Sequence, residues 1–313
     1  MLAKSQEESN MREFKSGFVT ILGLPNVGKS TLINRLVGEK VAIVSPKPQT
    51  TRNSAVGVYN DDNSQIVFVD TPGIHKSVNK IDEYMEASIS SASQDTDVLL
   101  FMLSAKKPLA EQYDILSAKY KSHSAPRIVV INKIDETTYE RMYPILADFM
   151  AKYKVDDILP LSALTGKNCD VLIDMLKKHL PSYDAPMRYY PVEQYTDKSA
   201  RYLASEIIRE KILLNYDEEV PHGVAVEIAS FEEKDNVCVI NADIIVERDS
   251  HKAIILGHNG EAIKRLATMA RMEMQKVLGT KIFLELFVKV KKDWRDNSKL
   301  VTELGYDIKS LKD

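Results

Sequence analysis

Apolar residues in the first half of the chain fall in short unbroken runs separated by polar turns. "FVTILG" (18–23), "QIVFVD" (65–70), "DVLLFML" (97–103), "RIVVIN" (127–132) and "DILPLS" (157–162) are such runs. Their length and turn-rich flanks predict buried strands. Between them, "KSTLINRLVG" and "CDVLIDMLKKHL" place apolar side chains at i, i+3 and i+4, the helical period. This alternation predicts an α/β unit, a mostly parallel sheet with helices on both faces.

The pattern then changes. "LPSYDAPMRYYPVEQYTDKS" (180–199) holds three prolines and no period, which predicts a linker. Beyond it the order is helix ("ARYLASEIIREKILLNY"), strand ("VAVEIASF"), strand ("NVCVINADIIVE"), a short apolar turn, a glycine loop, a helix and a last strand ("KIFLELFVKV"). The expected organisation is a first domain over 1–180, a linker over 181–199 and a smaller α+β domain over 200–313. The last dozen residues, short of apolar side chains, are expected to be partly disordered.

Length and composition agree with this division. The chain has 313 residues, room for about two domains, and its 44% apolar and 28% charged residues suit a globular protein. The net charge of −3 conceals an asymmetry: residues 251–299 carry eleven Lys/Arg against five Asp/Glu, so the remainder is acidic. A basic C-terminal part points to a polyanion partner. Cys169 and Cys238 lie far apart without metal spacing, which fits a reducing compartment. The N-terminal "MLAKSQEESNMREFKSG" has no signal-peptide core, and no apolar run reaches the roughly 18 residues of a membrane span. The expected location is the cytoplasm.

"GLPNVGKS" (23–30) satisfies G-x-x-x-x-G-K-S between a strand and a helix, the setting of a phosphate-binding loop. Gly23 and Gly28 let the backbone N–H groups of Asn26, Val27 and the helix start at Ser30 and Thr31 face phosphate oxygens. Lys29 is expected on the β/γ oxygens and the Ser30 hydroxyl on Mg²⁺. "DTPG" (70–73) ends a strand. Asp70 is expected to hold Mg²⁺ through water, with Thr71 and Pro72 leading to the Gly73 N–H as γ-phosphate sensor. In "NKID" (132–135), Asp135 can accept from both guanine N–H donors while Asn132 and the Lys133 stem frame the base. "SAL" (162–164) follows the next strand and can offer the Ala163 N–H to the guanine oxygen, flanked by Ser162 and Leu164. Adenine offers no matching donor pair, so the expected ligand is GTP.

The first switch is expected in "PKPQTTRNSAV" (46–56), with Thr51 closing on Mg²⁺ and Thr50 as the alternative. Lys29, Thr51 and Gly73 form the expected catalytic set. The position of the usual water-orienting glutamine holds Ile74, so hydrolysis is expected to be slow; Gln49 is the one nearby substitute glutamine. Asn26 is a candidate ligand for a monovalent cation such as K⁺. The remaining histidines, His75, His123, His179, His222 and His251, share no spacing and are assigned to surface or packing, with a switch contact the weaker alternative for His75.

"GLPNVGKSTLINRLVGEKVAIVSPKPQTTR", "DTPGIH", "NKID" and "SAL", in this order, resemble the Era family of bacterial GTPases. The resemblance implies weak intrinsic hydrolysis and, through Asn26, kinship with potassium-dependent relatives. It continues through "YLASEIIREKILLNY", "AIILGHNGEAIKRL" and "VKVKKDWR". It implies a role in small ribosomal subunit assembly, with the 3′ end of small-subunit ribosomal RNA held by a type II KH domain, and a peripheral contact with the inner face of the cell membrane.

From the residues themselves, "GHNG" (257–260) stands where the G-x-x-G loop of a KH domain belongs, a device that clamps about four nucleotides of single-stranded RNA. Gly257, His258, Asn259 and Gly260 are expected to approach the RNA backbone, with Lys264 and Arg265 supplying charge one turn later. His258 stands at a position where the family usually has lysine. "KVKKDWRDNSK" (289–299) adds Lys289, Lys291 and Lys292, and Trp294 as a base-stacking candidate. The rival expectation is a GTPase whose basic domain docks a protein or an anionic membrane surface.

Overall fold

The computed structural model describes residues 13–153, 155 and 157–311. Residues 1–12, most of the segment read for a signal peptide, lie outside them. The described chain forms β1 (Phe14–Leu22), α1 (Lys29–Val37), β2 (Ala55–Asn60), β3 (Ser64–Asp70), α2 (Lys80–Ala92), β4 (Val98–Ser104), α3 (Leu109–Lys119), β5 (Arg127–Asn132), α4 (Tyr139–Tyr153), β6 (Ile158–Pro160), α5 (Cys169–His179) and β7 (Ser182–Tyr183). It continues with α6 (Ala200–Asn215), β8 (Ala225–Lys234), β9 (Val237–Val246), α7 (Asp249–Leu256), α8 (Glu261–Leu278), β10 (Ile282–Val290) and α9 (Ser298–Glu303).

Two compact units share the chain discontinuously. The first comprises Met1–Glu39, Ala55–Thr71 and Ala92–Asp197; the second comprises Lys40–Ser54, Pro72–Ser91 and Lys198–Asp313. The segments around both expected switches, although early in sequence, thus cluster with the C-terminal half.

In the first unit the strand order is β2-β3-β1-β4-β5-β6, parallel along this path except for β2 against β3, with β7 paired antiparallel to the start of β1. All seven residues of β4 are buried, as a central parallel strand requires. β2 and β7 are the strands the sequence pattern left out, because "AVGVYN" is interrupted by a glycine and β7 has only two residues. The expected linker is ordered against this sheet. Gln65 Oε1 accepts from the Tyr189 and Tyr190 N–H groups (2.7 and 3.0 Å), and the Tyr195 carbonyl accepts from Val58 N–H at 3.0 Å.

The second unit has a three-stranded sheet in the order β10-β9-β8, with β9 parallel to β10 and antiparallel to β8. Cross-strand partners share a face. The inner rows, Leu284-Ile240-Phe231 and Leu286-Ala242-Ile228, pack with Ile255 of α7 and Leu266, Ala270 and Met274 of α8. The outer rows read Phe283-Val239-Glu232, Glu285-Asn241-Ser230 and Phe287-Asp243-Glu227.

At one end of that outer face, Ile245 and Ala225 form a second cluster with Ile81, Tyr84 and Met85 of α2 and with Trp294, Val301 and Tyr306. The described part of the last dozen residues is therefore structured, contrary to expectation. Tyr306 is buried, Leu311 packs on the same cluster, and the Leu311 carbonyl accepts from Ser91 Oγ at 2.8 Å. A few well-placed apolar side chains sufficed where the average composition was poor.

Candidate nucleotide site, switch segments and RNA loop

In the first unit β1 runs into the phosphate loop, and Gly28, at φ 105°, leads into α1. A Cβ at Gly23 would lie 2.6 Å from the Met102 carbonyl oxygen and 2.8 Å from Val27 Cγ2; one at Gly28 would lie 2.4 Å from Asn132 Nδ2. Both glycines are thus required by close approach, and Gly28 by its left-handed backbone as well. Asn26 also takes a left-handed conformation, at φ 65°. Lys29 is buried, its Nζ donating to the Gly23 and Leu24 carbonyls at 3.3 and 3.4 Å. Burial pulls this ammonium down to about 8, against the opposing pull of Asp70.

Ser30 Oγ donates to Asp70 Oδ2 at 2.7 Å. A hydroxyl and a carboxylate so joined beside a phosphate cradle fit a hard, oxygen-seeking cation. Among the described residues no group of three His, Cys, Asp or Glu side chains is placed to hold a metal, so such a cation would draw on hydroxyl, water and phosphate oxygens as well. Thr71 is committed elsewhere: its hydroxyl donates to the Ile21 carbonyl at 2.6 Å, pinning the end of β3 to β1.

Asn132 does more than frame a base. Its Nδ2 donates to the Val27 carbonyl at 2.8 Å, and its Oδ1 accepts the Ala163 N–H at 2.9 Å. It therefore braces the phosphate loop against "SAL". The Ala163 N–H expected on the guanine oxygen donates here to Asn132, so Asn132 and Ala163 stand together where the base is expected. Lys133 turns left-handed at φ 68° and leads into the short turn Ile134–Glu136, leaving Asp135 exposed and open to a ligand. Buried Ser162 accepts from Thr165 N–H at 3.1 Å, while Leu164 is exposed. Arg35, unremarked in the sequence, reaches from α1 to the Leu164 carbonyl at 2.5 Å and the Ala163 carbonyl at 3.4 Å.

In the second unit the segment around the first switch is held by many polar contacts. Lys40 pairs with Glu210 of α6 at 2.6 Å and Glu273 of α8 at 2.7 Å, and Val44 N–H donates to Glu210 at 2.9 Å. Arg209 donates to the Gln49 carbonyl at 3.4 Å and to the Thr50 carbonyl, its fork steadied by Glu206. Arg52 is buried, donating to the Val224 and His222 carbonyls at 2.6 and 3.1 Å, with its Cζ 5.7 Å from the centre of the Trp294 ring.

Thr50 spends its hydroxyl on the Lys47 carbonyl at 2.7 Å. Gln49 Nε2 donates to Asp82 Oδ1 at 2.8 Å, so the substitute glutamine is tied down in this arrangement. Pro72 and Ile74 are buried on either side of Gly73. His75 bridges two of these residues: Nδ1 lies 2.8 Å from the Gly73 carbonyl oxygen and Nε2 3.0 Å from Asp82 Oδ1.

The glycine loop joins α7 to α8. Gly257 (φ 70°), Asn259 (φ 50°) and Gly260 (φ 75°) are all left-handed. A Cβ at Gly257 would meet Ala262 Cβ at 2.5 Å, whereas one at Gly260 meets nothing within 4 Å. The first glycine permits close packing; the second leaves open space above the backbone. Lys264 and Arg265 are exposed and line a groove of about 600 Å³ with Asn215, Tyr216, Ala262 and Thr268.

Residues 18–133 match the family described as 50S ribosome-binding GTPase, and residues 219–295 match the KH domain. The GTPase Era of Clostridium botulinum (strain Alaska E43 / Type E3) is 45% identical over 294 residues, covering 94% of this chain and 99% of its own. The GTPase Era of Clostridium beijerinckii is 44% identical over 300 residues, covering 96% and 100%. The chain belongs to the Era family of GTPases.

Two solved Era structures superpose with a TM-score of 0.88 at 39% identity, each covering 94% of this chain and 99% of the other. One is a point variant of Aquifex aeolicus Era bound to GDP·AlF4⁻; the other is Era in complex with MgGDPNP and nucleotides 1506–1542 of 16S ribosomal RNA. This Era-family chain is thus a GTP-hydrolysing enzyme with a P-loop GTPase domain and a C-terminal KH domain. Among its described residues, no helix is long and apolar enough to cross a membrane.

Not every RNA contact expected of this Era-family KH region lies at the loop. Lys289 projects from the outer sheet face and pairs with Asp243 at 2.6 Å, while Lys291 lies 3.9 Å from Glu227. Lys292 is exposed. Trp294 is fully enclosed, its Nε1 donating to the Gly223 carbonyl at 2.9 Å. It has no free face for a base, and its stacking role is withdrawn.

Proposed function

We propose that this GTPase is a nucleotide-gated RNA-binding switch of small ribosomal subunit assembly. Its KH loop grips the 3′ end of small-subunit ribosomal RNA, and its GTPase site sets when. The observation that carries the reading is the wiring of the second unit. Arg209 and Glu210 of α6 hold residues 44–50, next to Thr51, within the same compact unit that presents "GHNG". Two sites sharing one packed element can bias each other reciprocally. The Era complex with MgGDPNP and nucleotides 1506–1542 of 16S ribosomal RNA supports both ligand classes.

In this reading Lys29 supplies positive charge to the β/γ oxygens, and the N–H groups of Asn26 to Thr31 cradle them. Ser30 and, through water, Asp70 hold Mg²⁺, with Thr51 joining them in the GTP state; when bound, Mg²⁺ neutralises charge developing on the phosphates. Asp135 reads guanine. Asn26 is the proposed K⁺ contact. Ile74 offers no polar atom to a water, so basal turnover is slow, on the order of 10⁻³ per second or below.

The test is retention of the full chain, loaded with GDPNP or GDP, on immobilised RNA of that sequence and on vesicles rich in anionic lipid. Nucleotide-dependent RNA retention is expected. Retention on vesicles alone would overturn the proposal in favour of a membrane-docking GTPase. Cytoplasmic residence, with or without a peripheral membrane contact, belongs to the same proposal and is read from the vesicle arm.

A further inference from the structure

Asp82 is almost fully buried in the first turn of α2, yet one of its oxygens does the work of two contacts. Oδ1 accepts from Gln49 Nε2 at 2.8 Å and faces His75 Nε2 at 3.0 Å. Oδ2 accepts the Val78 and Asn79 N–H groups at 3.0 and 3.3 Å, while Asn79 Oδ1 accepts the Asp82 N–H at 3.0 Å. The second oxygen thus fixes the carboxylate to its own helix start. The first reaches outward to two different switch segments.

Each outward arm reaches a segment assigned above to the GTP state, that of Gly73 to the γ-phosphate and that of Thr51 to Mg²⁺. His75 Nδ1 lies 2.8 Å from the Gly73 carbonyl oxygen, so the ring is a strut between Asp82 and the Gly73–Ile74 peptide. Gln49 has a left-handed backbone at φ 59° and lies two residues before Thr51. The post itself is firm, because neighbouring Ile81, Tyr84 and Met85 are buried among Ala225, Ile245 and Trp294.

We propose that Asp82 is a positioning residue for GTP hydrolysis, holding the Gly73 loop through His75 and the Thr51 segment through Gln49, so that both close on γ-phosphate together. The proposal rests on the assignment of Gly73 and Thr51 made above. It differs from a plain capping role, which would act on stability without regard to the γ-phosphate.

The test uses the full chain with His75→Phe, Gln49→Leu, their combination and Asp82→Ala. The first two keep bulk and leave the α2 cap untouched, so they remain informative if Asp82→Ala folds poorly. Each arm variant is expected to lower kcat on the order of ten- to a hundredfold and to weaken GDPNP, with GDP affinity unchanged within about twofold. The two arms should couple: the double variant should lose less than the product of the single losses, since both act through one carboxylate. Equal losses of GDP and GDPNP affinity, unchanged kcat in both arm variants, or independent multiplying effects would each overturn the proposal. Thr51→Ala is the control: if it leaves kcat intact, the assignment of the γ-phosphate sensors fails instead.

Discussion

Arg209, buried in α6, donates to the main-chain carbonyl of Thr50, 159 positions earlier in the chain. Glu206 holds the other side of the guanidinium and drives its pKa upward against the cost of burial. The Thr50 backbone, adjacent to the proposed Mg²⁺ threonine, is therefore held by a charged side chain of the KH-bearing unit. Arg209→Met should cost about 3–5 kcal/mol, because it leaves Glu206 largely buried and unpaired. Any acceleration of GTP hydrolysis by RNA should also disappear. Thermal melting and single-turnover hydrolysis with and without RNA check the two outcomes.

Asp135→Asn should invert base choice. Two charged hydrogen bonds to guanine are each worth roughly 1.5–3 kcal/mol, so GTP should weaken by about 10²–10⁴-fold. Xanthosine triphosphate, which presents an acceptor where guanine has its amine, should bind the variant more tightly than it binds the parent. Competition against a fluorescent nucleotide reads both.

Lys29 predicts a pH dependence with a definite sign. In the free protein burial lowers this lysine from 10.5 to about 8, so above pH 8 it is mostly neutral. Phosphates require the ammonium, and nucleotide binding must then take up a proton. Association should be flat below pH 8 and should weaken towards about tenfold per pH unit above it. The same depression means that folding of the empty protein is stabilised as pH rises from about 8 to 10.5, since the unfolded chain holds the proton more tightly there. Lys29→Met should remove the proton uptake, as calorimetry in buffers of different ionisation enthalpy can measure.

His258→Asp with Asn259→Asp should weaken RNA binding without disturbing the fold. Asn259 sits at φ 50°, a conformation that aspartate tolerates. Each lost phosphate contact should flatten the slope of log affinity against log salt by about 0.7 for single strands. Basal hydrolysis should stay at the parent's value. A salt series with single-stranded ribosomal RNA decides it.

Trp294 separates packing from recognition. Trp294→Ala should cost about 3–5 kcal/mol of stability, because a fully enclosed ring is lost beneath Arg52 and Tyr306. Trp294→Phe should cost less and leave RNA affinity unchanged at temperatures where both proteins are folded. A selective loss of RNA affinity in Trp294→Phe would restore the stacking role.

What could be read from the chain was whatever its local pattern determines. The strands of the first unit were apolar runs, the phosphate loop had a fixed spacing, and "GHNG" lay between two amphipathic helices. The missed features depend on distant partners. The segment from Pro181 to Ser199 looked like a linker because its prolines break periodicity, but buried Gln65 supplies hydrogen bonds that no local pattern reveals. The contact between Asn132 and Ala163 joins positions far apart in the chain, and the basic neighbours of Trp294 suggested stacking although its ring is enclosed. His75 and Gln49 gave no sign that they would meet at Asp82.

The outer face of the KH sheet has a consequence for how RNA arrives. Three of the four carboxylates on that face are answered by lysines, Glu232 by Lys234 (3.4 Å), Glu227 by Lys291 (3.9 Å) and Asp243 by Lys289 (2.6 Å), while Lys264 and Arg265 stand exposed beside the glycine loop between the helices covering the other face. A module that is nearly balanced in charge on one side and basic on the other exerts a torque on any polyelectrolyte that drifts near it. A strand approaching from behind feels little pull, and one approaching the loop is drawn in. At low ionic strength, encounters are therefore sorted by orientation before any contact forms, and the fraction that leads to capture rises with the reach of the field.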